Sequence, residues 1–329
     1  MDNSNILITG GAGFIGSALC RKLIKETNSN VIILDKMTYA ANLGSLKSIL
    51  NNKRVFFVEG SIGNKENLDK IFIKYNPEYV FNFAAETHVD NSIQDSSPFI
   101  KTNIVETHFL IEYCLKHYIN LKKRRFKFLQ ISTDEVYGDI NIDSPPASET
   151  TAYNPSSPYS ASKAAGDHLI KSYYRTFGFP GLISNCSNNY GPFQHKEKFI
   201  PIIIDSILNR RKIPVYGDGM QIREWIFVDD HCDGLVQLMK LGEIGNNYNI
   251  GDTKGIKNIE LIKIILSILK NKSIIEKDEI SEYITFVKDR PGHDKRYAID
   301  CSKINNECDW NSKTNFITGL NITIDSILN

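Results

Sequence analysis

The chain is poor in the features that mark many specialised proteins. Its six cysteines, at positions 20, 114, 186, 232, 301 and 308, never form Cys-x-x-Cys, and no His/Cys group has the spacing of a zinc site. They read as free thiols in a reducing compartment, which places the protein in the cytoplasm with no metal. No apolar run approaches the ~20 residues of a membrane span. The first strand begins within a few residues of Met1, leaving no room for a signal peptide. Neither sign of charge is in excess: 39 Lys and Arg stand against 38 Asp and Glu, a formal net charge of +1. Lys122-Lys123-Arg124-Arg125 is the one basic run, and it reads as a solvated turn rather than a nucleic-acid or membrane patch. No internal repeat or low-complexity linker divides the sequence.

What is present is a substantial core: 329 residues, 41% of them hydrophobic, enough for about two domains. Short apolar runs at Asn5–Thr9, Val31–Leu34, Val55–Val58, Tyr79–Phe83 and Phe126–Ile131 alternate with helical patterns, the first helix starting at Phe14. Repeated β-α units with continuously apolar strands imply a parallel sheet covered on both faces. The expected fold is therefore α/β, a Rossmann-type doubly wound parallel sheet with a smaller C-terminal substrate domain. The rhythm breaks near residue 187, giving an expected division into 1–187 and 188–329, with elements near 226–252 returning to the first part. Beyond the break the pattern suggests helices over Ile200–Leu208, Asp229–Lys240 and Asn258–Leu269, short strands near Val215 and Ile226, and irregular segments to the end. Ligands of such sheets bind outside the carboxyl ends of the strands.

The first strand runs into Gly10-Gly11-Ala12-Gly13-Phe14-Ile15-Gly16. Gly11, Gly13 and Gly16 fit G-x-G-x-x-G, and Gly10, Gly13 and Gly16 fit the wider G-x-x-G-x-x-G. In either register, missing side chains let backbone and helix N-terminus approach a pyrophosphate. Asp35 ends the second strand about 20 residues on, where a carboxylate accepts from ribose hydroxyls and repels a 2′-phosphate. NAD is the expected cofactor, rather than NADP.

Two further runs carry chemistry. Tyr159 and Lys163, four residues apart, share one face of a helix. An ammonium near a phenol favours phenolate, so Tyr159 is a candidate base for a hydroxyl proton, with Lys163 also reaching a nicotinamide ribose. Thr133, Asp134 and Glu135 follow the strand ending at Ile131 and so sit at the cleft. An Asp after a strand often caps the next helix. A cap accounts for one acid, not for two beside a hydroxyl, and an acid pair next to a hydride site suggests elimination of water.

These runs, together with Ala84-Ala85-Glu86-Thr87-His88-Val89-Asp90, Asn188-Asn189-Tyr190-Gly191-Pro192, Arg223-Glu224-Trp225 and Asp289-Arg290-Pro291-Gly292-His293-Asp294, resemble the nucleoside-diphosphate-glucose 4,6-dehydratases of the extended short-chain dehydrogenase/reductases. The resemblance spans nearly the whole chain. It implies a hydro-lyase acting on dTDP-glucose or UDP-glucose: oxidation at C4, loss of water across C5–C6, return of the hydride to C6, and a 4-keto-6-deoxy sugar nucleotide for deoxysugar synthesis. In that scheme Tyr159 removes the C4 hydroxyl proton, Glu135 takes the C5 proton, Asp134 protonates the leaving C6 hydroxyl and Thr133 bonds the C4 oxygen.

The resemblance also implies cofactor contacts from Gly10, Gly13, Phe14, Ile15 and Gly16, from Asp35, Lys36 and Thr38, from Ser61, Ile62, Ala84, Ala85, Thr102 and Asn189, and from Tyr159 and Lys163. For the substrate it implies Thr87, Thr133, Asn188 and Lys198, the strip around Pro214 and Tyr216, Asn258, and the diphosphate ligands Arg223, Arg290 and His293. Segments Phe99–Tyr118 and Ser157–Phe177 resemble the helix pair that forms a homodimer in relatives. Several positions depart from the pattern: Ser61 stands for a usual Asp at the adenine, Asn91 for an Arg and Ala41 for a Gly. The loop from Tyr137 to Tyr153 is short, and the sequence stops soon after its last predicted helix. Two other readings compete. A sugar-nucleotide 4-epimerase needs Tyr159 and Lys163 but not the acid pair, and a non-catalytic NAD-binding sensor needs none of the four.

Overall fold

Apolar runs buried on both faces pair as parallel strands because each must hide two rows of side chains. The computed structural model describes residues 1–122, 125–252 and 254–328, so Lys123 and Arg124 of the basic run lie outside the described residues. Strands in chain order are β1 (Asn5–Thr9), β2 (Asn30–Asp35), β3 (Val55–Glu59), β4 (Tyr79–Asn82), β5 (Lys127–Thr133), β6 (Gly181–Cys186), β7 (Asn188–Tyr190), β8 (Ile213–Tyr216), β9 (Ile222–Phe227), β10 (Asn247–Ile250), β11 (Gly255–Lys257) and β12 (Ile284–Val287). A seven-stranded sheet has the order β10-β6-β5-β4-β1-β2-β3, with every neighbour parallel.

Alternate residues of β1 serve opposite faces. Ile6 and Ile8 join Leu19 and Leu23 of helix Phe14–Glu26 and Leu235 and Leu238 of helix Val228–Leu241. Leu7 joins Leu68 and Ile71 of helix Lys65–Tyr75 and Leu110 and Ile111 of helix Thr107–Asn120. A third core lies in the C-terminal half, where Ile200, Ile204, Trp225, Leu261, Ile265 and Leu320 pack around the β11-β9-β7 sheet and the β12-β8 pair. Strand order reverses at β1, whose neighbours are β4 and β2. Connections there leave on opposite faces, and a crevice opens past the strand ends. Among the described residues, no helix is long and apolar enough to cross a membrane.

The structure corrects four sequence expectations. Strands β6, β7 and β10 escape the hydrophobic pattern because they bury polar residues such as Ser184, Asn185 and Asn249. The C-terminal stretch is not irregular: Ser302–Cys308 and Phe316–Leu328 are helices whose Ile304, Cys308, Leu320 and Ile324 turn inward at a spacing of four. Asn, Thr and Gly between those positions weaken the helical signal. The expected helix over 99–118 is broken by a π-helical stretch, Ile100–Glu106, before Thr107–Asn120. Finally, β5 continues through Ser132 to Thr133, so only the two acids lie past the strand.

Candidate active site

A cleft of about 310 Å³ lies over the carboxyl ends of β1, β2, β4 and β5. Its floor is the glycine turn. Gly10, with φ +65°, lies against the end of β4, where a Cβ would come within 2.8 Å of the Ala84 amide nitrogen. At Gly16 a Cβ would fall 2.4 Å from the Gly10 carbonyl oxygen, so the helix approaches the turn only because that position is bare. Gly13 precedes helix Phe14–Glu26 and offers no side-chain cap, which leaves the first amides facing the cleft. Gly10, Gly13 and Gly16 line the cleft, whereas Gly11 packs against Ile33 and Ile8 in the core. Phe14, Ile15, Ala84 and Ala85 line the same floor.

Asp35 closes β2 with both carboxylate oxygens held by backbone, Oδ2 by the Ala12 amide at 2.9 Å and Oδ1 by the Met37 amide at 2.8 Å. Burial pushes its carboxyl up, and the two amides oppose that shift. Beside it are Lys36, which donates to Thr102 Oγ1 at 2.9 Å and pairs with Glu86 at 3.2 Å, and Thr38, Ser61 and Ile62. A glycine-floored turn, a helix end rich in free amides and a fixed carboxylate suit a pyrophosphate followed by a ribose. These residues therefore fit a dinucleotide.

At the other end stand the catalytic candidates. Thr133 Oγ1 accepts from the Glu135 amide at 3.2 Å and donates to Asp134 Oδ1 at 3.2 Å, capping the short turn Asp134–Tyr137. The capping role thus falls to Thr133, and the acids remain to be explained. Asp134 is 3% exposed, and its Oδ2 has no hydrogen-bond partner. Burial, with the charges of Glu135 and Glu224, raises its carboxyl well above the usual range. Glu135 is also raised by burial, but Arg290, Arg223 and Lys198 pull it back down. Two neighbouring acids therefore differ in their surroundings, Asp134 with Arg223 outweighed by Glu135 and Glu224, and Glu135 facing three cations.

Tyr159 heads helix Pro158–Phe177, which starts with a Ser157/Ser160 capping box and Pro158 and ends on Gly178 at φ +66°. Lys163 shares its face but donates from Nζ to the Ile131 carbonyl at 2.7 Å, along β5. The expected lowering of the phenol is not what this structure shows. Burial, then the charges of Glu135, Cys186 and Asp134, push Tyr159 well up, with Thr133 offsetting part of it. Burial likewise depresses Lys163, against the pull of Asp167 and Cys186.

Thr87, Asn188, Asn189 and Lys198 line the cleft, with Lys198 Nζ donating to the Thr87 carbonyl at 3.1 Å. The remaining substrate candidates lie outside its wall. Arg290 meets Asp90 at 3.4 Å while its buried Nε lacks a partner, and Tyr216 donates to the same Asp90 at 3.0 Å. His293 bonds Asp289 at 2.6 Å, and its ring stands edge-on to Tyr216. Arg223 is spent on backbone carbonyls, those of Ile222 at 2.8 Å and Asp294 at 2.9 Å, and stacks on Tyr297. Pro214 lies in β8 beside a separate depression, and Asn258 opens helix Asn258–Asn271 with its amide on the Gln221 carbonyl.

Sequence reasoning missed several groups that the fold brings here. Gln194 and Glu197 line the cleft, each with a buried oxygen lacking a partner, and His195 and Trp225 stand with them. Asp167, one helical turn beyond Lys163, is fully buried and accepts at Oδ2 from Ser132 at 2.7 Å, Tyr153 at 3.1 Å and Asn185 at 3.2 Å. Its spacing of four from Lys163 was a readable signal. Glu106 also lines the cleft, and nothing in the local pattern marked it.

The family described as GDP-mannose 4,6 dehydratase matches residues 7–323. A dTDP-glucose 4,6-dehydratase of Haemophilus influenzae is 46% identical over 97% of this chain and 96% of its own length. That of Neisseria gonorrhoeae is 47% identical over 97% and 94%. The structure of a dTDP-glucose 4,6-dehydratase from Streptomyces venezuelae, solved with NAD and TYD bound, superposes with a TM-score of 0.89 at 36% identity, covering 98% of this chain and 97% of that one. A UDP-glucose 4-epimerase from Thermotoga maritima, solved with UDP-glucose, has a TM-score of 0.86 at 28% identity over 98% of each chain.

Proposed function

Because the chain belongs to the GDP-mannose 4,6 dehydratase family, within the extended short-chain dehydrogenase/reductases, we propose that it is an NAD-dependent hydro-lyase converting dTDP-glucose to the 4-keto-6-deoxy sugar nucleotide. The observation that carries this reading is the unequal pair Asp134 and Glu135. Elimination needs one protonated acid and one ionised base at the same pH, and unequal surroundings divide two adjacent carboxyls in that way. A 4-epimerase shares the fold but has no use for the pair.

Bound NAD⁺ supplies the acceptor for the C4 hydride, and its reduced form the donor that returns hydride to C6. The chain's residues do the rest. Tyr159 takes the C4 hydroxyl proton, its ionisation opposed by burial and the neighbouring acids and favoured by the Thr133 hydroxyl, and Lys163 serves the nicotinamide ribose. Thr133 bonds the C4 oxygen. A ketone at C4 acidifies the C5 proton, which Glu135 removes, while Asp134 passes its proton to the departing C6 hydroxyl. Arg290 and His293 serve the diphosphate, and the Pro214–Tyr216 strand and Asn258 the outer part of the nucleotide. Arg223, with Nη1 and Nη2 already donating to backbone carbonyls, acts by its charge on Glu135.

The working division follows the same line, with the cofactor on residues 1–187 and the sugar nucleotide held largely by 188–329. Two copies are proposed to associate through Phe99–Tyr118 and Ser157–Phe177. Incubated with the protein, dTDP-glucose is expected to yield a product lighter by one water in mass spectrometry. A product of unchanged mass would instead indicate an epimerase. UDP-glucose in parallel reads the base preference, for which a thymine methyl contact contributes only ~1–3 kcal/mol.

A further inference from the structure

Past Asp35, the cleft ends on a carboxylate that the proposed reaction does not use. Ser61 and Ile62 follow β3 there, and Glu106, the last residue of the π-helical stretch, faces them across the opening. The wide π turn sets Thr102 and Glu106 on one side, and both line the cleft. The Glu106 stem lies over Gly63, where a Cβ would come within 2.7 Å of its Cγ.

Most other acceptors at this end are already engaged. Ser61 Oγ donates to Glu106 Oε2 at 2.8 Å and accepts from the Gly63 amide at 3.0 Å, and the Ser61 carbonyl accepts from the Asn64 amide at 3.1 Å. Thr102 Oγ1 takes the Lys36 ammonium. Among the described residues, the Glu106 side chain has no hydrogen bond besides that to Ser61, and no cation pairs with it within 4 Å. Its Oε1 is left to accept from a ligand.

With the adenosine ribose at Asp35, the wall left for the purine is the one beyond it, where Ser61, Ile62, Thr102 and Glu106 line the cleft. Adenine carries at its edge an exocyclic amino group, which is a donor. A 6-oxopurine carries an acceptor at the same place. We propose that Glu106 recognises the adenine ring of the dinucleotide, accepting a hydrogen bond from the exocyclic amino group and excluding 6-oxopurines, with Ser61 as the residue that holds the carboxylate in place. This rests on the NAD reading above. A hydrogen bond to a charged acceptor is among the stronger ones, and its replacement by two facing acceptors leaves both unsatisfied.

Calorimetric titration of the dinucleotide-stripped protein with NAD and with nicotinamide hypoxanthine dinucleotide tests the assignment. The native protein is expected to bind NAD at least about tenfold tighter than the hypoxanthine analogue. In Glu106→Gln the amide either accepts from the amino group or donates to the carbonyl, so the two affinities should converge to within about threefold. Binding of the analogue by that variant also shows that its site is folded. Equal affinities in the native protein, or full discrimination retained in Glu106→Gln, would overturn the assignment. Failure of the native protein to bind either dinucleotide would be a different result, removing the NAD reading itself and this inference with it.

Discussion

Asp134 and Glu135 are neighbours in sequence and opposites in setting. Asp134 is enclosed, with one oxygen unpartnered and the charges of Glu135 and Glu224 outweighing that of Arg223, while Glu135 looks toward Arg290, Arg223 and Lys198. This asymmetry lets one side chain donate a proton while the next removes one. Replacing both by their amides, Asp134→Asn with Glu135→Gln, leaves volume and Tyr159 in place. Rapid-mixing absorbance of the reduced nicotinamide should then show C4 oxidation persisting, while release of the dehydrated product slows by roughly 10²-fold or more. Equal loss of both steps would make the acids structural. The residue scale is also where sequence logic overreached, at Tyr159 and Lys163. Their spacing places them on one helical face, but the lysine stem runs along β5 to the Ile131 carbonyl. Spacing in a helix gives a direction, not the end point of a long side chain.

Among the elements, those that build the cofactor floor were legible and those that complete the sheet were not. β1, the glycine turn and β2 with Asp35 are continuous in sequence, so pattern and chemistry coincide within 35 residues. β6 stayed hidden, and β10 was foreseen only within the stretch near 226–252, because both run through polar residues buried for hydrogen bonding, Asn185 to Tyr153 and Asp167, and Asn249 to the Ala147 carbonyl. Glu106 was hidden for another reason, since a π-helical stretch departs from the 3.6-residue period that pattern reading assumes. The same helical segments bear on assembly. Asn103 donates to Ser162 at 2.8 Å, tying the pair together, while Ile100, Val105 and Phe177 stay exposed. Sedimentation analysis is expected to give the mass of two chains, falling to one in Val105→Asp because burying a carboxylate in an apolar interface is costly. A single-chain mass for the native protein would contradict the dimer.

For the molecule as a whole, buried carboxyls that suit catalysis should tax stability at neutral pH. Glu224 is 3% exposed, and burial pushes it up to about 7 from an ordinary 4.5, with the Ile299 amide opposing. The folded chain therefore binds this proton more tightly than the unfolded one. Stability from Glu224 is present in acid and is lost as pH rises through the window between those values. Tm should fall between about pH 5 and pH 7, and Glu224→Gln should flatten that decline; an unchanged slope would remove Glu224 from the account. The central claim, however, is that one cleft oxidises, dehydrates and reduces the same sugar with a stored hydride. Turnover of dTDP-glucose deuterated at C4 tests it most directly. The product is expected to have lost one water and to carry the deuterium at C6. A product that retains the mass of the substrate, or a dehydrated one without the label at C6, would contradict it.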